Sequence, residues 1–240
     1  EDDDIVDEVE DYPVNIFFTK EGYFKKITPL SLRMSGDQRL KEGDVIISSV
    51  ETTNNTDLLF FTDKYQVYKS NVSEFDDTKA SVLGDYIPSK LSMDEGETPV
   101  CMISTKDYKG SLLFFFENGK AARVPLKSYQ TKTNRKKLAN GFSSKSPLVE
   151  MFYLPAETEM DIVLFSDKDR AITVNTERIP LKTTRTTQGV NIMSSRKGSI
   201  VSKAVPASDS GLKNIERFRT KTVPAVGATV REQDRGIEQI

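Results

Sequence analysis

Four segments of this chain share one pattern, and that pattern limits the fold more than any other feature. Ile16 to Leu30 reads IFFTKEGYFKKITPL, Leu59 to Ser73 reads LFFTDKYQVYKSNVS, Ser111 to Leu126 reads SLLFFFENGKAARVPL, and Val163 to Glu177 reads VLFSDKDRAITVNTE. Each opens on an apolar run, meets a polar turn a few residues on, and returns as a second strand. In the third segment the turn is Asn118-Gly119, the strongest short-range hairpin signal, because a tight turn needs two residues tolerant of positive φ. Lys26, Lys69 and Arg123 fall at matching places in the returning strands, and Thr173 breaks the rule. The apolar runs start near residues 16, 59, 113 and 163, which are 43, 54 and 50 residues apart. Strands recurring every 40–50 residues or so are the signature of propeller-like blades. The expected fold class is therefore all-β, a propeller-like array of about four four-stranded blades. Unrelated hairpins in one β-sandwich are the plainer alternative.

The stretches between the hairpins supply further strands. Val45 to Glu51, Pro99 to Thr105, Leu148 to Leu154 and Ser199 to Val205 are expected to be extended, with Phe218 to Val223 closing the fourth sheet. No segment has a strong helical period, so the fold is read as nearly pure β. The boundaries that follow are an acidic linker at 1–12, a β domain at 13–223 and a charged tail at 224–240.

Composition excludes several functions. The chain has no His and no Trp, which removes the commonest general base and metal ligand. The single Cys101 lies in an apolar run and reads as a small buried hydrophobe in a reducing compartment. No signal peptide or membrane-spanning stretch is evident. Acid pairs such as Asp76-Asp77 read as solvated loop charge rather than metal ligands. The first residue is not Met, which suggests a piece of a longer protein.

Charge is distributed unevenly. The net charge is −2, but eight of the 36 acids lie in Glu1 to Asp11, and the remainder carries 28 acids against 34 Lys and Arg. From Asn118 to Val149 there are eight basic residues and no acid. A basic body with a segregated acidic end suits a polyanionic partner. The candidate phosphate-contacting residues are Lys25, Lys26, Arg33, Arg39 and Lys41 after the first hairpin. The third hairpin and its loop add Lys120, Arg123, Lys127, Lys132, Arg135, Lys136, Lys137 and Lys145. The fourth contributes Arg178, Lys182, Arg185, Arg196 and Lys197. The connection from Asn71 to Pro99 is acidic and is expected to contribute least. The competing reading is a propeller that scaffolds protein partners without touching DNA, which the pI near 5.5 favours slightly. An enzyme active site has little support without a nucleophile motif or metal cluster.

GYFKKITPLS (Gly22 to Ser31), GKAARVPLKSY (Gly119 to Tyr129), RTTQGVNIM (Arg185 to Met193) and RFRTKTVPAVG (Arg217 to Gly227) resemble the repeats of the C-terminal domain of type IIA topoisomerase A subunits. These are the A subunits of DNA gyrase and topoisomerase IV. The resemblance implies a β-pinwheel, in which neighbouring blades exchange strands, that binds and bends double-stranded DNA without sequence preference on a basic rim. Members commonly have five or six blades, and four are counted here. It also implies a bacterial, cytoplasmic, nucleoid-associated enzyme. Its partners would be an N-terminal cleavage domain of the same subunit and a separate ATPase subunit. ATP and magnesium would serve the whole enzyme, with no cofactor in this domain. The cleavage tyrosine lies in that N-terminal part, so none of the eight Tyr is assigned catalysis. Gyrase carries the box QRRGGKG after its first hairpin; here Gln38 to Asp44 reads QRLKEGD. The paired glycines that let a backbone approach phosphate are missing, and Glu42 and Asp44 are expected to repel it. The degenerate box makes the chain more topoisomerase IV-like.

Overall fold

The computed structural model describes residues 8–132, 135–194 and 197–236. Four hairpins form at the four apolar runs: β1 (Pro13–Thr19) with β2 (Tyr23–Ile27), β4 (Asp57–Thr62) with β5 (Val67–Asn71), β9 (Ser111–Phe116) with β10 (Lys120–Pro125), and β13 (Asp161–Ser166) with β14 (Arg170–Asn175). Their registers coincide. Ile16 lies opposite Lys26, Leu59 opposite Lys69, Leu113 opposite Arg123 and Val163 opposite Thr173. The turns coincide as well. Gly22, Tyr65, Gly119 and Asp169 occupy one left-handed position, with φ of 98°, 60°, 83° and 54°. In the third turn only Gly119 is left-handed, and its amide donates to the Phe116 carbonyl. The turn is thus the longer kind that ends in one left-handed residue, not the two-residue turn that Asn-Gly suggested.

One side of each hairpin is covered by the next strand in sequence. β3 (Ile46–Thr53) pairs β1, β8 (Pro99–Thr105) pairs β4, β12 (Leu148–Leu154) pairs β9, and β16 (Val201–Pro206) pairs β13. The other side is completed from further downstream. β6 (Asp77–Thr78) and β7 (Asp85–Tyr86) reach back to β2, β11 (Lys137–Leu138) to β5, β15 (Val190–Asn191) to β10, and β17 (Ala228–Thr229) to β14. The first three sheets therefore take their outer strand from beyond the following hairpin, which is strand exchange. Close approach of the exchanged strand needs glycine. A Cβ on Gly189, at φ 74°, would stand 1.8 Å from the Ala121 carbonyl oxygen. The equivalent Gly227 would meet the Ala171 carbonyl at 2.6 Å.

Two compact units result. One runs to Asp107 and includes Thr131–Gly141, and it holds the first and second sheets. Its core packs Val14, Ile16, Phe18 and Phe24 against Leu58, Phe60 and Phe75, with the Phe18 and Phe60 rings edge-on at 5.5 Å. The second unit, Tyr108–Gln130 with the chain from Phe142 onward, holds the third and fourth sheets. Its core joins Leu113, Phe115 and Leu154 to Ile162, Leu164, Ile172 and Ile192. The first strand of the third hairpin is buried at every residue, which is why it reads as an unbroken apolar run rather than an alternation.

The fold departs from the sequence reading at three places. The closing strand of the fourth sheet is β17, within the stretch expected to be tail; Ile215–Phe218 is instead a 3-10 turn whose Arg217 amide donates to the Asn214 side chain. Two short helices, α1 (Pro29–Met34) and α2 (Ile87–Lys90), interrupt the strands. α1 forms because Pro29 presets its first φ while the Thr28 hydroxyl accepts the Ser31 amide at 3.3 Å. Part of the acidic segment is tied down: the Glu10 carbonyl accepts from Asn54 and the Asp11 carboxylate accepts the Asn55 amide. Glu1 to Asp7 lies outside the described residues. No helix among the described residues is long and apolar enough to cross a membrane.

Candidate nucleic-acid interface

The cations at the matching hairpin position point into the fold. Lys26 is 3% exposed; its ammonium donates to Asn54 Oδ1 at 2.8 Å and stands 3.6 Å from Asp77. Lys69 is held near Asp57 at 3.7 Å. The Arg123 guanidinium reaches both oxygens of Glu159 at 3.0 Å and the Ser111 hydroxyl at 3.1 Å. Lys25 is 1% exposed, and its ammonium donates to the Arg39, Ala80 and Val82 carbonyls. Burial depresses the Lys25 ammonium below its ordinary range. Lys25 and Lys26 therefore leave the set of phosphate-contacting residues, and Arg123 is committed to Glu159. A buried ammonium must be surrounded by acceptors or its desolvation is uncompensated.

The fourth hairpin shows how the exception at Thr173 is accommodated. Thr173 is fully buried and its hydroxyl donates to the Ile215 carbonyl at 2.7 Å. Its missing charge arrives on the exchanged segment instead. Arg219 forms a bridge pair with Thr173, and its guanidinium grips Asp161 through bonds of 2.7 and 3.1 Å. Asp161 occupies the register position of Asp57 and Ser111 in the second and third hairpins.

Sequence places the run Lys132, Arg135, Lys136, Lys137 in the third hairpin's own loop, free of nearby acid. The structure corrects both points. The run belongs to the first unit, where β11 edges the second sheet. Lys136 pairs with Glu74 at 2.9 Å. Lys137 pairs with Asp94 at 3.4 Å and lies over the Tyr68 ring at 5.4 Å. Acids of the connection expected to contribute least thus offset the densest basic run. Lys132 and Arg135 remain exposed.

The second unit has a different corner. After each hairpin a 3-10 turn meets the exchanged segment. In the third sheet that turn is Leu126–Tyr129, and it meets residues 181–187. The Ser128 hydroxyl donates to the Thr183 carbonyl at 2.9 Å, Arg185 donates to the Ser128 carbonyl at 3.0 Å, and the Lys182 amide donates to the Arg123 carbonyl at 2.9 Å. These bonds gather Lys127, Lys182 and Arg185, of which the first two are exposed and the third half-buried. Arg185 Nε is buried with no hydrogen-bond partner among the described residues. In the fourth sheet the turn is Thr176–Arg178, and the Arg178 guanidinium donates to the Lys221 carbonyl at 2.9 Å. Lys221 is absent from the candidates drawn from sequence. It lies in RFRTKTVPAVG, six residues before Gly227, while Lys182 lies seven before Gly189, so the two cations are not at matching positions. Among the described residues, Lys127, Lys182, Arg178 and Lys221 form no ion pair.

The other candidates are scattered. Arg33 and Arg39 are exposed in the first unit, and Lys41 lies over the Tyr23 ring at 5.4 Å. Asp44 of the degenerate box does not face solvent: it is 8% exposed and its carboxylate accepts the Glu21 and Val45 amides. It caps a loop rather than standing free on the surface. Lys120 is half-buried and 3.4 Å from Gln188, while Lys145 and Lys197 are exposed. Arg196 lies outside the described residues. Among the described residues no group of three or more His, Cys, Asp and Glu side chains could hold a metal ion.

Strand-exchanged four-stranded sheets, repeated with one register, define an all-β propeller or pinwheel. The family model described as the DNA gyrase C-terminal domain, beta-propeller, matches residues 56–81 and 161–208. The A subunit of DNA topoisomerase 4 from Staphylococcus aureus is 25% identical over 172 residues, which is 69% of this chain and 21% of that protein. The chain thus spans about a fifth of such curated relatives. Among solved structures, the C-terminal domain of DNA topoisomerase IV superposes with a TM-score of 0.73 at 23% identity, covering 85% of this chain and 64% of that one. The E. coli ParC C-terminal domain gives 0.66 at 13% identity, with coverage of 93% and 96%. The chain is similar in sequence to these topoisomerase A subunits over part of its length, and its fold is that of their C-terminal β-propeller domains. The Staphylococcus relative is a topoisomerase IV subunit, the side to which the degenerate box pointed.

Proposed function

We propose that this chain binds double-stranded DNA without sequence preference, as the C-terminal domain of a type IIA topoisomerase A subunit. The observation that carries this reading is the pair of cationic corners in the second unit, where Lys127, Lys182, Arg178 and Lys221 stand exposed without acidic partners among the described residues. Phosphate neutralisation needs only such charges. Each contact releases condensed counterions, so binding is indifferent to sequence and steeply dependent on salt. Bending a site of 20–30 bp costs of order 1–6 kcal/mol, offset when contacts fall at more than one corner. In this reading the domain has no cleavage activity of its own. Cleavage, ATP and magnesium belong to the remaining parts of the enzyme, and those parts are its protein partners.

The test is a titration of unrelated duplexes at low and moderate salt. Equal affinities that fall steeply with salt are expected. Absence of binding at low salt, or binding indifferent to salt, would overturn the proposal in favour of a protein-interaction scaffold.

A further inference from the structure

The cation that completes the fourth sheet departs from the repeat in its place along the chain. In the first three sheets the cation stands on the hairpin itself, at Lys26, Lys69 and Arg123. In the fourth it stands on the exchanged segment, at Arg219. Docking of residues 215–230 is therefore the step that brings Asp161 its counter-charge. Without that segment, a half-buried carboxylate on β13 would face no cation. The segment has other attachments as well: the Thr173 hydroxyl donates to the Ile215 carbonyl at 2.7 Å, the Arg170 guanidinium to the Gly227 carbonyl at 2.8 Å, and the Ala225 amide to the Ile192 carbonyl at 3.1 Å. β17 contributes two residues, the Thr220 amide donates to the Thr173 carbonyl at 3.0 Å, and the Val230 amide donates to the Asp169 carbonyl at 2.7 Å. Arg217 adds a pair with Asp234 at 3.3 Å. Phe218 and Val230 bury against Val163 and Ala171.

The same segment carries Lys221 to Arg178. We infer that Arg219 is a positioning residue that latches residues 215–230 onto the fourth sheet and thereby assembles a backbone-phosphate site from Arg178 and Lys221. The inference rests on the DNA-binding reading for its ligand, but the latch itself does not. The Arg219 guanidinium is engaged by Asp161 and by Glu216, whose Oε2 accepts from Nε at 2.7 Å. Its donors are thereby taken up by two carboxylates, and phosphate would meet its neighbours rather than Arg219. Phosphate at the corner and a docked segment favour each other, because binding selects the arrangement that holds both cations together.

The experiment measures hydrogen exchange and DNA affinity on the full chain, using Arg219→Met and, as a change that keeps shape but removes the charge and one of the two acceptors, Asp161→Asn. Exchange at the Thr220 and Val230 amides is expected to rise by roughly tenfold or more, while core amides of β9 and β13 stay protected. Affinity for a random duplex is expected to fall as far as in Arg178→Ala/Lys221→Ala, and Arg219→Met is expected to add nothing in that double variant. Unchanged exchange at those two amides in both variants would overturn the latch. An Arg219→Met loss that adds fully to the double variant would make Arg219 a direct contact and overturn the positioning role. If the unaltered chain bound no duplex at all, the DNA-binding reading would fall, and the exchange result would still decide the latch.

Discussion

Replacing Lys127 and Lys182 by Ala together is expected to flatten the salt dependence of duplex binding, whereas replacing Lys136 and Lys137 is not. The distinction comes from who already neutralises each charge. Lys136 and Lys137 stand 2.9 and 3.4 Å from Glu74 and Asp94. Removing them leaves two carboxylates where two ion pairs stood. Lys127 and Lys182 are exposed beside the Ser128 turn and pair with no acid among the described residues. Each phosphate contact contributes about 0.9 to the slope of log affinity against log salt, so the Lys127/Lys182 variant should lose about 1.8. Over a fourfold change in salt that is about a tenfold difference in how far affinity falls. Anisotropy titrations of one labelled duplex at four or five salt concentrations give both slopes. Lys136 and Lys137 sit in the other compact unit, so the two variants also ask which unit carries the DNA. A larger loss of slope from the Lys136/Lys137 pair would refute the reasoning, because it would mean that Glu74 and Asp94 release their partners to DNA.

Lys25→Met keeps the stem of the side chain but takes the ammonium donor from the Arg39 and Val82 carbonyls, while the Ala80 carbonyl keeps the Arg39 amide. Urea unfolding should show a loss of about 1–3 kcal/mol, with DNA affinity unchanged. Gly189→Ala places a methyl group 1.8 Å from the Ala121 carbonyl at a φ of 74°. The backbone conformation alone costs about 1–2 kcal/mol and the clash adds to it, so denaturation should reveal a clearly weakened second unit. Asp161 is held below the usual carboxylate range chiefly by its hydrogen bonds from Arg219. The unfolded chain binds the proton more readily than the folded one, so this contribution is present above about pH 4 and fades as pH falls below it. Unfolding measured from pH 6 to pH 3 should lose less stability in Asp161→Asn than in the unaltered chain.

Much of the architecture was legible because each hairpin is a local event. Apolar triplets, polar turns and matching cation positions locate β1/β2, β4/β5, β9/β10 and β13/β14 without any knowledge of partners. The site was less legible. LKTTRTTQGVNIM gives no hint that Lys182 and Arg185 fold beside Lys127, because the bond between Arg185 and Ser128 spans 57 residues. Lys25 and Lys26 are adjacent on β2 and so face opposite ways, yet both are covered, Lys25 by residues 39, 80 and 82 and Lys26 by Asn54 and Asp77. The basic run at 132–137 was the most misleading, since local charge density says nothing of acids brought in from about 60 residues away, as Glu74 is to Lys136.

Sequence alone determines that this chain is a repeat of hairpins, that it carries no histidine chemistry, and that its charge suits a polyanion. These properties depend on residue identity and short-range order. Tertiary structure decides which hairpin receives which outer strand and which cations are cancelled. Long-range contacts join residues 42 to 68 positions apart, such as Thr173 with Ile215 and, by strand exchange, Lys120 with Gln188. Coulomb interactions depend on distance in space and on exposure to water rather than on distance along the chain. The fold thus turns the same kind of residue into an internal clamp at Arg123, a neutralised pair at Lys136 and an exposed charge at Lys182.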